Sequence, residues 1–217
     1  MAADPPPDSH DPCQARRRQM VDSQLRARGI ANERLLAAFG RVPRHRFIPD
    51  ADPAEAYGDH PVPIACGQTI SQPYVVAFAL EALELRPGSR VLEVGTGSGY
   101  QTALLAELVS RVCSVEYFAE LAAGARRALD ELGYANVEVV VGDGSRGWPR
   151  PADLPFDAIV GSAAAPQIPP ALVAQLADGG RLVMPVGGTY QELVLVLRRG
   201  DRTERRDLLP VRFVPMR

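Results

Sequence analysis

Three glycines at alternate positions, Gly95, Gly97 and Gly99, follow an acid at Glu93 and give the pattern E-x-G-x-G-x-G. Glycine lets the backbone approach a ligand where a Cβ would collide. A helix beginning behind such a loop points unpaired N–H groups at the same place. The spacing excludes the dinucleotide fingerprint G-x-G-x-x-G. Counted from Gly95, its last glycine falls on Tyr100; counted from Gly97, it falls on Thr102. A second acid, Glu116, lies about 20 residues beyond the turn, where a strand-end carboxylate accepts from two neighbouring ribose hydroxyls. The plainer reading of Glu116 is a solvated strand-end charge. Two hydroxyls, Thr69 and Ser71, stand just ahead of an apolar helical run. Ser71 alone reads as a helix cap, with Pro73 in the first turn. That leaves Gly67-Gln68-Thr69 without an explanation.

These groups need elements to position them. Val91, Leu92 and Val94 form a short apolar run that reads as a strand buried on both faces. Ala103, Leu104, Leu105, Ala106 and Leu108 continue at helical spacing. Strand, glycine turn and helix make a nucleotide-binding βα unit. Further strands are expected at residues 111–116, 137–141, 156–160, 181–186 and 191–198, and the last segment runs to residues 211–215. A helix over residues 118–132 stops at Gly133. Another over residues 170–176 ends before Gly179-Gly180. Upstream, residues 13–39 read as two helices broken at Gly29, with Asn32 capping the second. Residues 42–49 read as extended. His45 there reads as a surface or packing residue rather than a base, and packing is the default for Trp148. Residues 1–12 are a proline-rich polar leader expected to be disordered. The expected class is α/β: a Rossmann-like sheet of seven mostly parallel strands with helices on both faces, plus an N-terminal helical extension. Residues 13–217 form one domain, with the helical and loop region at 13–89 and the core at 90–217.

The chain has 217 residues, 46% hydrophobic and 23% charged, as expected of one globular domain. Its formal net charge of −2 offers no electrostatic case for nucleic acid or an anionic membrane. No apolar run is long enough to span a bilayer, and the N-terminus lacks signal-peptide organisation. Cys13, Cys66 and Cys113 form neither metal spacing nor a disulfide framework, which suits a reducing cytoplasm. No metal is expected.

The glycine pattern with its preceding acid resembles the first motif of the S-adenosylmethionine-dependent methyltransferases. Met20-Val21, Gln24-Leu25, Arg28-Gly29-Ile30, Val42-Pro43-Arg44, Phe47-Ile48-Pro49, Ala56-Tyr57 and above all Gly67-Gln68-Thr69-Ile70-Ser71-Gln72-Pro73-Tyr74 resemble the protein-L-isoaspartate O-methyltransferases. The terminal Val211-Arg212-Phe213-Val214-Pro215 continues the likeness, and Ala65-Cys66 departs from it. The resemblance implies the Rossmann-like methyltransferase fold and transfer of a methyl group to the free carboxylate of isoaspartyl residues in damaged proteins. It implies cofactor contacts from Gln68, Thr69, Ile70, Ser71, Glu93, Gly95, Gly97, Ser98, Gly99, Glu116, Tyr117, Asp143 and Gly144. Asp143 would accept from the adenine amine, and Ser71 would be the catalytic hydroxyl. The small residues of 161–166 would lie beside the transferring methyl. Substrate backbone would pair with residues 211–215. A monomer in the cytoplasm, with no nucleic-acid or membrane partner, completes the expectation. Two alternatives stay open: a methyltransferase for a small molecule or an RNA base on the same fold, and a cofactor-binding adaptor without activity.

Overall fold

A computed structural model describes residues 11–217. Most of the proline-rich leader, residues 1–10, lies outside the described residues. Its last part does not behave as leader. The Asp11 carboxylate accepts the Cys13 N–H at 2.8 Å and pairs with Arg17 at 2.6 Å, anchoring the start of the first helix.

The N-terminal region is helical. Helix α1, Gln14–Gln19, runs on through a wider turn at Met20–Leu25 and a tight one at Arg26–Arg28, then stops at Gly29 in the left-handed region (φ +94°). Helix α2, Glu33–Arg41, is capped by Asn32, whose side chain accepts the Leu35 N–H. The next segment is not extended as its sequence reads. Arg44–Phe47 is a 3₁₀ turn. Side chains three apart eclipse in that geometry, so Arg44 and Phe47 are buried together. A one-turn helix α3, Pro53–Ala56, leads into a two-rung hairpin of β1, Val62–Pro63, and β2, Thr69–Ile70. Helix α4, Pro73–Ala82, follows at once.

The sheet then forms in order: β3 Arg90–Val94, helix α5 Tyr100–Leu108, β4 Arg111–Glu116, helix α6 Ala119–Glu131 and β5 Val137–Val141. After it come β6 Phe156–Gly161, helix α7 Pro170–Gln175, β7 Leu176–Gly187, β8 Gln191–Arg199 and β9 Arg202–Val211. The strand order is β5-β4-β3-β6-β7-β8-β9. All neighbours are parallel up to β7, and β8 and β9 each run antiparallel to the strand before. The chain steps outward from β3 through β4 to β5, then returns to β6 on the other side of β3. Loops leaving β3 and β6 therefore part, and a crevice opens at their C-terminal ends.

Strand β3 is buried on both faces, as its composition requires. Val91 joins a core containing Met20, Val21 and Leu25 of the wider turn after α1 and residues of α2, α4, α5 and α6. Leu92 and Val94 join a second core with Trp148 and Leu172 of α7. One element is longer than the sequence pattern shows. Strand β7 begins at Leu176, and residues 177–180 form a bulge, since Phe156 pairs with Leu176 but Ala158 pairs with Arg181. Gly179 (φ +75°) serves that bulge and does not terminate the helix. Among the described residues no helix is long and apolar enough to cross a membrane.

Candidate active site

The glycine loop crosses the top of β3. Gly95 and Gly99 have φ of +92°, backbone that L side chains rarely adopt. Gly99 also faces α6: an added Cβ would sit 3.1 Å from the Ala125 Cβ. The loop is tied to the end of β4 by Glu116. One carboxylate oxygen accepts the Gly97 N–H at 2.8 Å and the other accepts the Phe118 N–H at 3.0 Å. Glu116 is 4% exposed and borders the crevice. Each oxygen keeps a lone pair, so the carboxylate is preoriented to receive two adjacent hydroxyls.

Glu93 plays a different part from the one its motif position implies. It has no exposed surface and does not line the crevice. Thr102 Oγ1 and Ser114 Oγ donate to its Oε2 at 2.5 and 2.7 Å, and Gln101 Nε2 donates to its Oε1 at 3.0 Å. Thr96 Oγ1 lies 2.6 Å from Ser114 Oγ and so donates to it, because the Ser114 proton goes to Glu93. Glu93, expected to contact the cofactor directly, is separated from the crevice by Gln101. Gln101 Nε2 also donates to Ser162 Oγ at 2.9 Å, so both its N–H bonds are engaged and its carbonyl end is left for the crevice. Burial pushes the Glu93 carboxyl up to about 7, while the three donors pull it down. Ser162 lies in the segment 161–166 that the resemblance places beside the transferring methyl, whereas Thr96, within the glycine loop, and Gln101, the second residue of α5, carry no signal of their own in the sequence.

The hydroxyl-bearing loop reaches the same crevice from the other side. Thr69 and Ile70 pair with Pro63 and Val62. The turn between passes through Cys66 (φ +59°) and Gly67 (φ +64°), and Ile64 N–H closes it onto the Gln68 carbonyl at 2.9 Å. Ser71 is not the cap of α4. Gln72 holds that position, with Pro73 at the first helical residue. The Ser71 carbonyl accepts from Arg44 Nη2 at 2.9 Å, and among the described residues its hydroxyl bonds to no protein group.

The crevice encloses about 780 Å³, part of it open to solvent. Gln68, Thr69, Ile70, Ser71, Gly95, Gly97, Ser98, Glu116, Tyr117 and Gly144 all line it. Gly99 and Asp143 do not. Gly99 shapes the loop from beneath. The Asp143 carboxylate is turned into its own turn, accepting from Ser145 N–H and Oγ at 2.9 and 2.6 Å and pairing with Arg146 at 3.2 Å. A second hollow of about 1090 Å³ lies behind Ser71, lined by Arg28, Pro61, Tyr74, Val75 and residues 209–213. Thr69 and Ser71 line both spaces and stand in the wall between them. His45 is elsewhere, with Nδ1 2.9 Å from the Tyr57 hydroxyl. It belongs to the one metal-like cluster among the described residues, Asp11, Cys13 and His45, whose carboxylate is already engaged by Arg17. Trp148 is packed in the core and donates to Asp153 at 2.8 Å.

The model of the family described as "Protein-L-isoaspartate(D-aspartate) O-methyltransferase (PCMT)" matches residues 15–217. The chain belongs to this family. A protein-L-isoaspartate O-methyltransferase of Methanoculleus marisnigri is 53% identical over 207 residues, covering 95% of this chain and 93% of its own length. A solved protein-L-isoaspartate O-methyltransferase superposes with a TM-score of 0.84 at 28% identity. That comparison covers 92% of this chain and 65% of the solved one. A protein-L-isoaspartate O-methyltransferase structure from Plasmodium falciparum, in complex with S-adenosyl-L-homocysteine, gives a TM-score of 0.80 at 26% identity, covering 93% and 98%. As a family member the chain is an S-adenosylmethionine-dependent protein carboxyl methyltransferase. Its crevice fits that cofactor. Glu116 offers acceptors for a ribose diol, the loop offers main chain, and the Gln101 carbonyl offers an acceptor for an ammonium.

The Glu93 carboxyl has a pH consequence. Its ordinary value is 4.5 and its folded value is about 7. Between these the folded chain holds a proton that the unfolded chain has lost, so stability falls as pH rises through that window. Urea unfolding of the wild type and Glu93→Gln at pH 5 and pH 8 is expected to show the wild type losing roughly 2–3 kcal/mol relative to the variant. A pH-independent difference would show that Glu93 does not titrate in this range.

Proposed function

We propose that this chain transfers the methyl group of S-adenosylmethionine to the free carboxylate of isoaspartyl residues in damaged proteins, and so starts their return to aspartate through a succinimide. The observation that carries this is the position of Ser71. Its uncommitted hydroxyl stands between the crevice that fits the cofactor and a hollow open to a peptide. When bound, S-adenosylmethionine supplies an electrophilic methyl group on a sulfonium. A peptide carboxylate is ionised at neutral pH, so no base is needed to make it a nucleophile. The work left for the protein is to align carboxylate oxygen, methyl carbon and sulfur and to keep water out. Ser71 Oγ–H is assigned to hold the carboxylate, and Thr69 to support its loop. Glu116 and the loop at Gly95, Gly97 and Ser98 are assigned to the adenosine, with Gln68, Ile70, Tyr117 and Gly144 closing round it. The adenine-amine role for Asp143 requires its Oδ2 to leave Arg146.

Pairing of substrate backbone with the terminal segment needs one revision. The Phe213 N–H and carbonyl are both held by the Gln191 side chain, at 2.7 and 3.2 Å. Backbone addition is therefore assigned to Arg212, which alternates with Phe213 along the segment and borders the hollow. We also propose that residues 13–217 act as one domain, as a monomer in the cytoplasm, on proteins rather than nucleic acid or membranes. The net charge of −2 supports the last part. Edge strand β9 carries Arg202, Glu204, Arg205, Arg206 and Asp207, charges that discourage strand-to-strand association.

Labelled S-adenosylmethionine with paired isoaspartyl and aspartyl peptides is expected to give base-labile methyl esters in the isoaspartyl peptide alone. Label in neither peptide would favour a different substrate or an inactive adaptor. Ser71→Ala is expected to lower kcat/KM by about 10- to 100-fold, the value of one hydrogen bond to a charged group. Arg212→Pro is expected to raise KM for peptides while leaving cofactor affinity unchanged. Unaltered peptide kinetics would remove backbone pairing at that residue.

A further inference from the structure

Arg44 has no exposed surface, and among the described residues no carboxylate lies within ion-pair distance of it. Its Nε donates to the Ala56 carbonyl at 2.7 Å and its Nη2 to the Ser71 carbonyl at 2.9 Å. Nη1 has no partner, and neither has the buried Tyr100 hydroxyl. The guanidinium lies 4.8 Å from the centre of the Tyr100 ring, at the first residue of α5. Arg44 thus spans from the hydroxyl-bearing loop to the helix behind the glycine loop. The negative group that acts on it is Asp59, whose Oδ2 is paired with Arg28 at 2.5 Å and whose buried Oδ1 has no hydrogen-bond partner. Arg28, Asp59 and Arg44 together leave one positive charge uncompensated. Burial lowers the Arg44 pKa to about 10, so the group remains a cation at neutral pH.

An unpaired buried cation is unfavourable in a resting protein. Its place directly behind Ser71 indicates what compensates it. Resting on the isoaspartyl reading above, we propose that Arg44 is a positioning residue for the substrate carboxylate: it fixes the Ser71 main chain and supplies the fixed positive charge that the incoming anion neutralises. Arg44 lines neither the crevice nor the hollow, so it acts through Ser71 and through its field. That arrangement suits the reaction. A direct ion pair would draw electron density from the carboxylate and weaken its attacking oxygen as a nucleophile. A cation behind the hydroxyl favours the anion in a dry site and leaves that oxygen free.

The test compares two peptides of one sequence, one isoaspartyl and one isoasparaginyl, in which a neutral carboxamide replaces the carboxylate. Their dissociation constants are measured on the full chain saturated with S-adenosyl-L-homocysteine. The wild type is expected to favour the carboxylate by about tenfold or more, and Arg44→Met by no more than about twofold. Arg44→Lys keeps the charge but cannot hold both carbonyls, so it is expected to keep the preference and lose about tenfold in kcat. Affinity for S-adenosyl-L-homocysteine should stay within about threefold throughout. An Arg44→Met variant that weakens both peptides equally, or a preference lost in Arg44→Lys, would overturn the role given to Arg44. A wild type that does not distinguish the peptides would overturn the functional reading beneath it.

Discussion

A carboxylate with no solvent contact sits at the centre of this protein. Glu93 lies between Leu92 and Val94 near the end of β3, where an unsatisfied acid would be strongly unfavourable. Three side-chain donors make it tolerable, and they come from two other elements: Ser114 from β4, and Gln101 and Thr102 from α5. Satisfying one buried group thus fixes the helix that follows the glycine loop against the two strands beneath it. Through Gln101 the same network reaches Ser162 at the mouth of β6. The parting of the chain on either side of β3 creates the crevice, and the Glu93 network holds its two lips in register.

The opposite lip is built on less regular chain. A two-rung hairpin, a turn with two residues at positive φ, and a helix that starts with proline carry Thr69 and Ser71 to the crevice. Such a loop has few ladder hydrogen bonds of its own. It is held from behind by side chains reaching across: Arg44 to the Ser71 carbonyl, and Gln72 to the Asp59 carbonyl at 3.0 Å. The N-terminal helical region therefore does more than cover one face of the sheet. Its buried 3₁₀ turn delivers the cation that braces the loop.

Most elements of the sheet could be read from the chain, because a strand buried on both faces must be a short apolar run and a helix stop is written in glycine. Asn32, Gly29 and Gly133 act where local chemistry places them. The misreadings share a cause. Residues 42–49 read as extended because proline and arginine dominate locally, yet long-range burial of Arg44 and Phe47 selects a tight turn. Gly179-Gly180 read as a helix stop because a bulge is defined by the partner strand, which lies 20 residues upstream at Phe156–Gly161.

Within the site, what depended on residue type along the chain was legible from it: a glycine turn at Gly95 and Gly97, an acceptor at the end of a strand at Glu116, and hydroxyls at Thr69 and Ser71, all of which border the crevice. Those are properties of single residues and their nearest neighbours. What depended on groups meeting across the fold was settled only by tertiary structure. Glu93 turned inward because its three donors converge on it. Asp143 turned to its own Ser145 rather than to the crevice. Phe213 was engaged by Gln191, and Arg44 came to rest behind Ser71. A side chain's partners are chosen by packing, and packing brings together residues that the linear order keeps apart.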